Sequence, residues 1–156
     1  MPRLAFLAAL LLPIRSVHTQ QLTATELSVG GATAMARRTF GGAELGLAHR
    51  PSTESRIALA VAGGAAAGRA AARAQVTLQL LVNPSVRSGV GLYAGLGAAF
   101  IARRESAGQG FLAVLLGLEA APGRRQSWYV ELGLAGGVRA AAGWRVRRFP
   151  AWWRGG

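Results

Sequence analysis

The sequence predicts an all-β protein. Its 156 residues read as an N-terminal signal peptide followed by an eight-stranded antiparallel up-and-down transmembrane β-barrel. Three observations predict it. Apolar side chains recur with a period of two over most of the chain beyond residue 20, which is the repeat of a strand whose side chains point alternately to opposite faces. The intervening phase is small or charged, drawing on 22 glycines and many alanines and on most of the strand glutamates. Eight such segments can be counted. The span from 21 to 149 divides among them into lengths that suit membrane strands of about 9 to 11 residues with short connections, and eight is the smallest usual number for a bacterial barrel of this kind.

The first segment lies outside the barrel. Met1-Pro2-Arg3 is a short basic start, residues 4–14 (LAFLAALLLPI) are apolar, and RSVHTQQ is polar. Basic, apolar, polar is the order of a secretory signal peptide. The apolar run is too short for a helical membrane span of about 20 residues. Cleavage is expected near residues 19–21, which gives a signal peptide over 1–20, a barrel over 21–149 and a C-terminal tail over 150–156.

The strands follow in order. Leu27 and Val29 lie opposite Glu26 and Ser28. Leu45 and Leu47 lie opposite Glu44 and Gly46. Ile57, Leu59 and Val61 lie opposite Arg56, Ala58 and Ala60. Residues 65–74 are Ala-rich and are compatible with a helix or a loop. Val76, Leu78, Leu80 and Val82 alternate with Gln75, Thr77, Gln79 and Leu81, and Asn83-Pro84-Ser85 makes a turn. Val90, Leu92, Leu96 and Phe100 alternate with Gly91, Tyr93, Gly95 and Gly97. Leu112, Val114, Leu116 and Leu118 lie opposite Ala113, Leu115, Gly117 and Glu119. After the turn composition APGRRQS over 121–127, Trp128, Val130, Leu132, Leu134 and Val138 lie opposite Tyr129, Glu131, Gly133 and Arg139. Trp144 and Val146, alternating with Arg145 and Arg147, form the last candidate.

Charge placement carries the most information. Of the six acidic residues, Glu26, Glu44, Glu119 and Glu131 fall within strands on the face away from Leu and Val. Arg56, Arg73, Arg139 and Arg145 share that phase and are predicted to form an ion network with them in the lumen. Arg147 is in phase too. A soluble sandwich would bury the Leu/Val face, whereas a membrane barrel turns it to lipid and the charges inward. Periodicity alone does not separate these. The small residues of the charged phase suit the crowded interior of an eight-stranded barrel, and Phe40, Phe100, Phe111, Trp128, Tyr129, Trp144 and Phe149 sit near segment ends, as interfacial girdles do. Both favour the membrane. The alternative is a soluble periplasmic barrel or sandwich binding a small apolar ligand.

Composition excludes much else. All 18 basic residues are Arg and all six acidic residues are Glu; Cys, Lys and Asp are absent. Disulfides, thiolate metal sites and cysteine nucleophiles are therefore excluded, as are Asp-containing triads and Schiff-base lysines. Beyond the signal peptide the one histidine is His49, placed at the wrong end of its strand for a surface hydrolase. Glu119 and Glu131 could face each other like a glycosidase pair, but ion pairing with Arg139 or Arg145 is preferred. No catalytic residue, cofactor or metal is expected. The net charge of +12 would suit nucleic acid, but the arginines are scattered and no binding motif accompanies them, so no nucleic-acid partner is expected.

The stretches GLYAGLGAAF (91–100), GFLAVLLGLEAAPGRRQSWYVELGLAGG (110–137) and AAAGWRVRRF (140–149) resemble the C-terminal half of small Gram-negative outer-membrane β-barrels of the OmpA-like and OmpW-like eight-stranded type. The resemblance implies location in the outer membrane and a structural or narrow, porin-like role. It also implies a monomer, outer-membrane lipids including lipopolysaccharide as neighbours, and folding by the barrel-assembly machinery, whose recognition signal a terminal Phe149 resembles. The family topology places turns near 50–56, 83–89 and 121–127 on the periplasmic side and connections near 37–42, 64–73, 103–110 and 139–143 outside. Arg37, Arg38, Arg103 and Arg104 would then contact lipid headgroups, since guanidinium forks suit phosphate. Phe149 is one residue out of phase with Trp144 and Val146, which a bulge at Arg147-Arg148 would repair, and the tail PAWWRGG is expected to be disordered.

Overall fold

The computed structural model describes residues 21–104 and 106–153; the expected signal peptide, Glu105 and residues 154–156 lie outside them. The alternating pattern becomes eight strands: β1 (Ala24–Met35), β2 (Phe40–Arg50), β3 (Ser55–Ala66), β4 (Arg69–Leu81), β5 (Val90–Arg103), β6 (Ser106–Ala120), β7 (Gln126–Leu134) and β8 (Val138–Arg148). Each pairs antiparallel with the next, and β8 returns to β1, so the sheet closes with no free side edge around the middle of the barrel. The closing seam matches apolar to apolar, with Leu27 opposite Val146 and Val29 opposite Trp144.

The two phases separate through the middle of the barrel. Leu27, Leu45, Leu80, Leu116 and Leu132 point out and are exposed, Leu112 at 70%, while Glu26 and Glu119 are exposed at 1%. This is the reverse of a soluble barrel with an apolar cavity. The interior apolar groups are mainly small or aromatic: Ala34, Phe40, Ala62, Ala66 and Ala71 at one end, Leu81, Tyr93 and Leu115 towards the other. Small residues are needed where the interior is tightest. A Cβ on Gly117 would enter the ring of Tyr93, so that ring lies flat across β6.

Strand ends differ from expectation in several places. The Ala-rich stretch 65–74 is neither helix nor loop. It is the end of β3, a two-residue turn at Ala67-Gly68 and the start of β4. Both turn residues have positive φ, 51° and 75°, as a tight hairpin that follows sheet twist requires. The last connection lies at 135–137 rather than 139–143, turned by Gly136 and Gly137 at positive φ. Within β8, Gly143 lies where the strand crosses close to β1. A Cβ on Gly143 would run into the backbone of Val29 and Gly30. Likewise β5 runs to Arg103 and β6 begins at Ser106, both well into the stretch expected to be a loop.

The expected bulge at Arg147-Arg148 is absent, since pairing with β1 runs unbroken to Thr25–Arg148. Phe149 lies just beyond the strand, its ring 6.0 Å from that of Trp153. The tail over 150–153 is ordered against the barrel end. Trp153 Nε1 donates to the Gly123 carbonyl at 3.1 Å, and the Arg87 guanidinium lies 4.6 Å over its ring.

Candidate functional site

The interior is a charge network in two tiers. Near the end that carries the termini, Glu26 of β1 and Glu119 of β6 meet four guanidinium groups. Arg56 Nη1 bridges the two carboxylates at 3.0 Å to each. Arg50 pairs with Glu26 and reaches Glu119 Oε1 at 3.1 Å. Arg145 and Arg147 donate to Glu119 Oε2 at 2.5 and 2.7 Å. The inward phase of β1, β2, β3, β6 and β8 supplies all six side chains, and barrel closure brings them together across as many as 121 positions of sequence.

Nearer the hairpin end the tier is sparser. Arg139 donates to Glu131 Oε2 at 2.7 Å and holds Glu44 with both oxygens, at 2.7 and 2.8 Å. A single nitrogen, Nη2, is shared between the two Glu44 oxygens, while Nη1 serves Glu131. Arg73 is not ion-paired among the described residues; it donates to the Ala135 carbonyl at 3.0 Å and to Gln75 at 3.1 Å. Arg145 links the tiers, with Nη2 3.6 Å from Glu131 Oε1.

Aromatic and amide groups complete the shell. Tyr93 donates to Glu131 at 2.8 Å, and its ring lies 4.3 Å beneath the Arg56 guanidinium. Tyr129 lies 4.5 Å from that of Arg145. Gln79 accepts from Arg56 Nε at 2.7 Å and donates to Thr77. A space of about 30 Å³ is left among these groups, bordered by Glu26, Glu44, Gln75, Glu131 and Arg145, room for one or two waters. Each of the four carboxylates is held by at least one arginine. Glu119 is paired with Arg145 and Glu131 with Arg139. His49 is exposed on the outer face at the termini end.

Of the residues singled out from sequence, Glu26, Glu44, Glu119, Glu131, Arg56, Arg73, Arg139 and Arg145 are all buried inside the barrel. Arg50 and Arg147 belong there too. Arg50 continues the inward phase of Glu44 but precedes Pro51 and reads as turn. Tyr93 and Tyr129 likewise share the inward phase. At the hairpin end, Arg37 and Arg38 are exposed between β1 and β2, Arg103 is half-buried at the end of β5 and Arg104 is exposed beyond it. Arg37, Arg38 and Arg103 line a cleft of about 520 Å³, while Arg104 lines a separate hollow with Arg69.

The closed eight-strand topology recurs in solved structures. One is the outer membrane protein OprG from Pseudomonas aeruginosa, at TM-score 0.64 and 10% identity over 83% of this chain and 98% of that one. The chain has the fold of the small eight-stranded outer-membrane barrels. The N-terminal β-barrel domain of Pseudomonas aeruginosa OprF aligns at TM-score 0.54 and 15% identity over 83% and 97% of the two chains. Neisserial surface protein A aligns at 0.52 and 14% over 80% and 96%. No family model matches the sequence, and no curated protein matches it. At these identities the shared property of the barrels is their architecture.

Proposed function

We propose that this is a structural outer-membrane protein whose barrel is closed to passage and which carries out no catalysis. The observation that carries the reading is the interior. Glu26, Glu119 and four arginines fill one tier and Glu44, Glu131 and Arg139 the next, bordering a space of about 30 Å³. Eight strands leave little lumen to begin with. The outward Leu/Val surface supports a bilayer location, because water would be a costly solvent for a belt of side chains such as Leu112, Leu116 and Leu132. In this reading residues 1–20 are removed on export, 21–149 form a monomeric barrel delivered by the barrel-assembly machinery, and the hairpin end faces outward.

Residues Arg37, Arg38, Arg103 and Arg104 are proposed to meet lipopolysaccharide phosphates around that rim, with Arg104, exposed and apart from the cleft, best placed to do so. Replacing all four by Gln lowers lipopolysaccharide co-purification if this holds; an unchanged amount would remove the contact from the account. The location is tested by fractionation and gel mobility. The expected result is recovery with the outer membrane and a band that shifts on boiling. Recovery in the soluble periplasmic extract with no shift would overturn it.

A further inference from the structure

The barrel wall is uneven at the hairpin end. Pairing of β6 with β7 begins only at Val114–Leu134, because β7 stops there. Strand β6 itself runs on to Ser106, held on its other side by β5. The stretch 106–113 is thus paired on one side only. Residues 107–110 are exposed in both phases, so this part of the hairpin stands clear of the barrel. Apart from Gln109, residues 107–110 are Ala or Gly. Gly110 has open space where a Cβ would be, and Gly108 is covered on its outward face by the Phe100 ring.

An unpaired strand edge presents a row of N–H and C=O groups that can accept another strand. Natural edges are blunted by charge, proline or a covering loop. Nothing of that kind lies on 107–111, which reads Ala-Gly-Gln-Gly-Phe. The neighbouring cleft is cationic. Arg37 and Arg38 reach it from the β1–β2 connection and Arg103 from β5, with Gln109, Phe111 and Gly136 completing the lining. Arg103 Nη1 contacts Gln109 at 3.3 Å, while its Nε is buried and makes no hydrogen bond.

We infer that the free edge of β6 over 106–113 is a docking site for an extended acidic peptide segment of a partner protein. The segment adds as an antiparallel strand beside β6, and its carboxylates meet Arg37, Arg38 and Arg103. Charge selects this occupant. A second copy pairing through the same edge would bring two sets of these arginines together, which like-charge repulsion opposes. Strand β1 begins and β8 ends at the opposite end of the barrel. A polyanion without a peptide backbone would use the arginines but leave the edge unpaired.

The test uses the full-length refolded protein in lipopolysaccharide-free detergent. Backbone amide exchange is measured with a synthetic peptide of about eight alternating Glu and Val residues, a strand-length probe. The matching Lys/Val peptide and inorganic polyphosphate serve as comparators. The acidic peptide is expected to slow exchange at least about tenfold at free-edge amides within 106–113, as new strand hydrogen bonds would. It should leave the β5-paired amides of the same hairpin unchanged, and the two comparators should leave the edge unprotected. In the variant Arg37→Gln/Arg38→Gln/Arg103→Gln, binding should weaken at least about tenfold through loss of charge-assisted contacts, with gel mobility unchanged. Equal protection by the Lys/Val peptide, the same protection by polyphosphate, or tight binding of the acidic peptide with no protection over 106–113 would each overturn the inference.

Discussion

The two tiers of the interior use the same residue types in opposite proportion. At the termini end four arginines surround Glu26 and Glu119; at the hairpin end Arg139 alone binds Glu44 and Glu131, with Arg145 approaching from below and Arg73 turned to a backbone carbonyl. The difference teaches where stability depends on a single group. In the first tier an arginine is redundant and a carboxylate is not, because one carboxylate serves as acceptor for several buried cations. In the second tier the arginine is the irreplaceable member. Breaking a buried ionic cluster from one side leaves uncompensated charge, which costs about 3–5 kcal/mol, far more than the cluster contributes net.

The largest effect is accordingly expected from Glu119→Gln, which removes the shared acceptor of Arg50, Arg56, Arg145 and Arg147. Unfolding by urea from detergent or vesicles should show a loss of about 4 kcal/mol. A loss equal to that of a neutral surface change would mean the four arginines are solvated. Next comes Arg139→Gln, which leaves Glu44 and Glu131 without their common cation; about 3 kcal/mol is expected by the same measurement. The comparison is sharpened by Arg50→Gln. With three other arginines still on the pair, its effect should be visibly smaller than that of Arg139→Gln, and the reverse order would break the contrast between tiers. Tyr93→Phe should cost about 1–2 kcal/mol, since one hydroxyl bond to a charged group is lost while ring packing against Gly117 and Arg56 is kept. Trp153→Ala should have the smallest effect, below about 1 kcal/mol, because its contacts hold the tail to the β4–β5 and β6–β7 connections outside the barrel wall.

The same contrast between ends separates what the sequence reveals from what it conceals. Strand alternation is legible wherever one phase is Leu or Val and the other Gly, Gln or Glu, as over 112–119 and 128–134. It fades where both phases are small. Ala62 to Ala66 and Ala140 to Gly143 offer no polarity contrast, and their true turns, Ala67-Gly68 and 135–137, were therefore displaced or merged into a loop. The inward phase of each glutamate can be read from its neighbours two positions away. The partner it meets cannot. Arg139 and Glu44 are 95 residues apart and touch only because β8 closes on β1 and the strands are staggered around the barrel. Arg50 hides because Pro51 and Ser52 follow it and make it look like part of a turn. The free edge of β6 depends on the unequal lengths of β6 and β7, and a strand's length is the property that alternation fixes least well at glycine-rich ends.

The most direct test of the account is ion conductance of the refolded full-length protein in a planar bilayer. A barrel filled by these two tiers should insert without producing discrete current steps at physiological salt and moderate voltage. Reproducible steps from the unaltered protein would contradict the closed interior and return the narrow pore as its function.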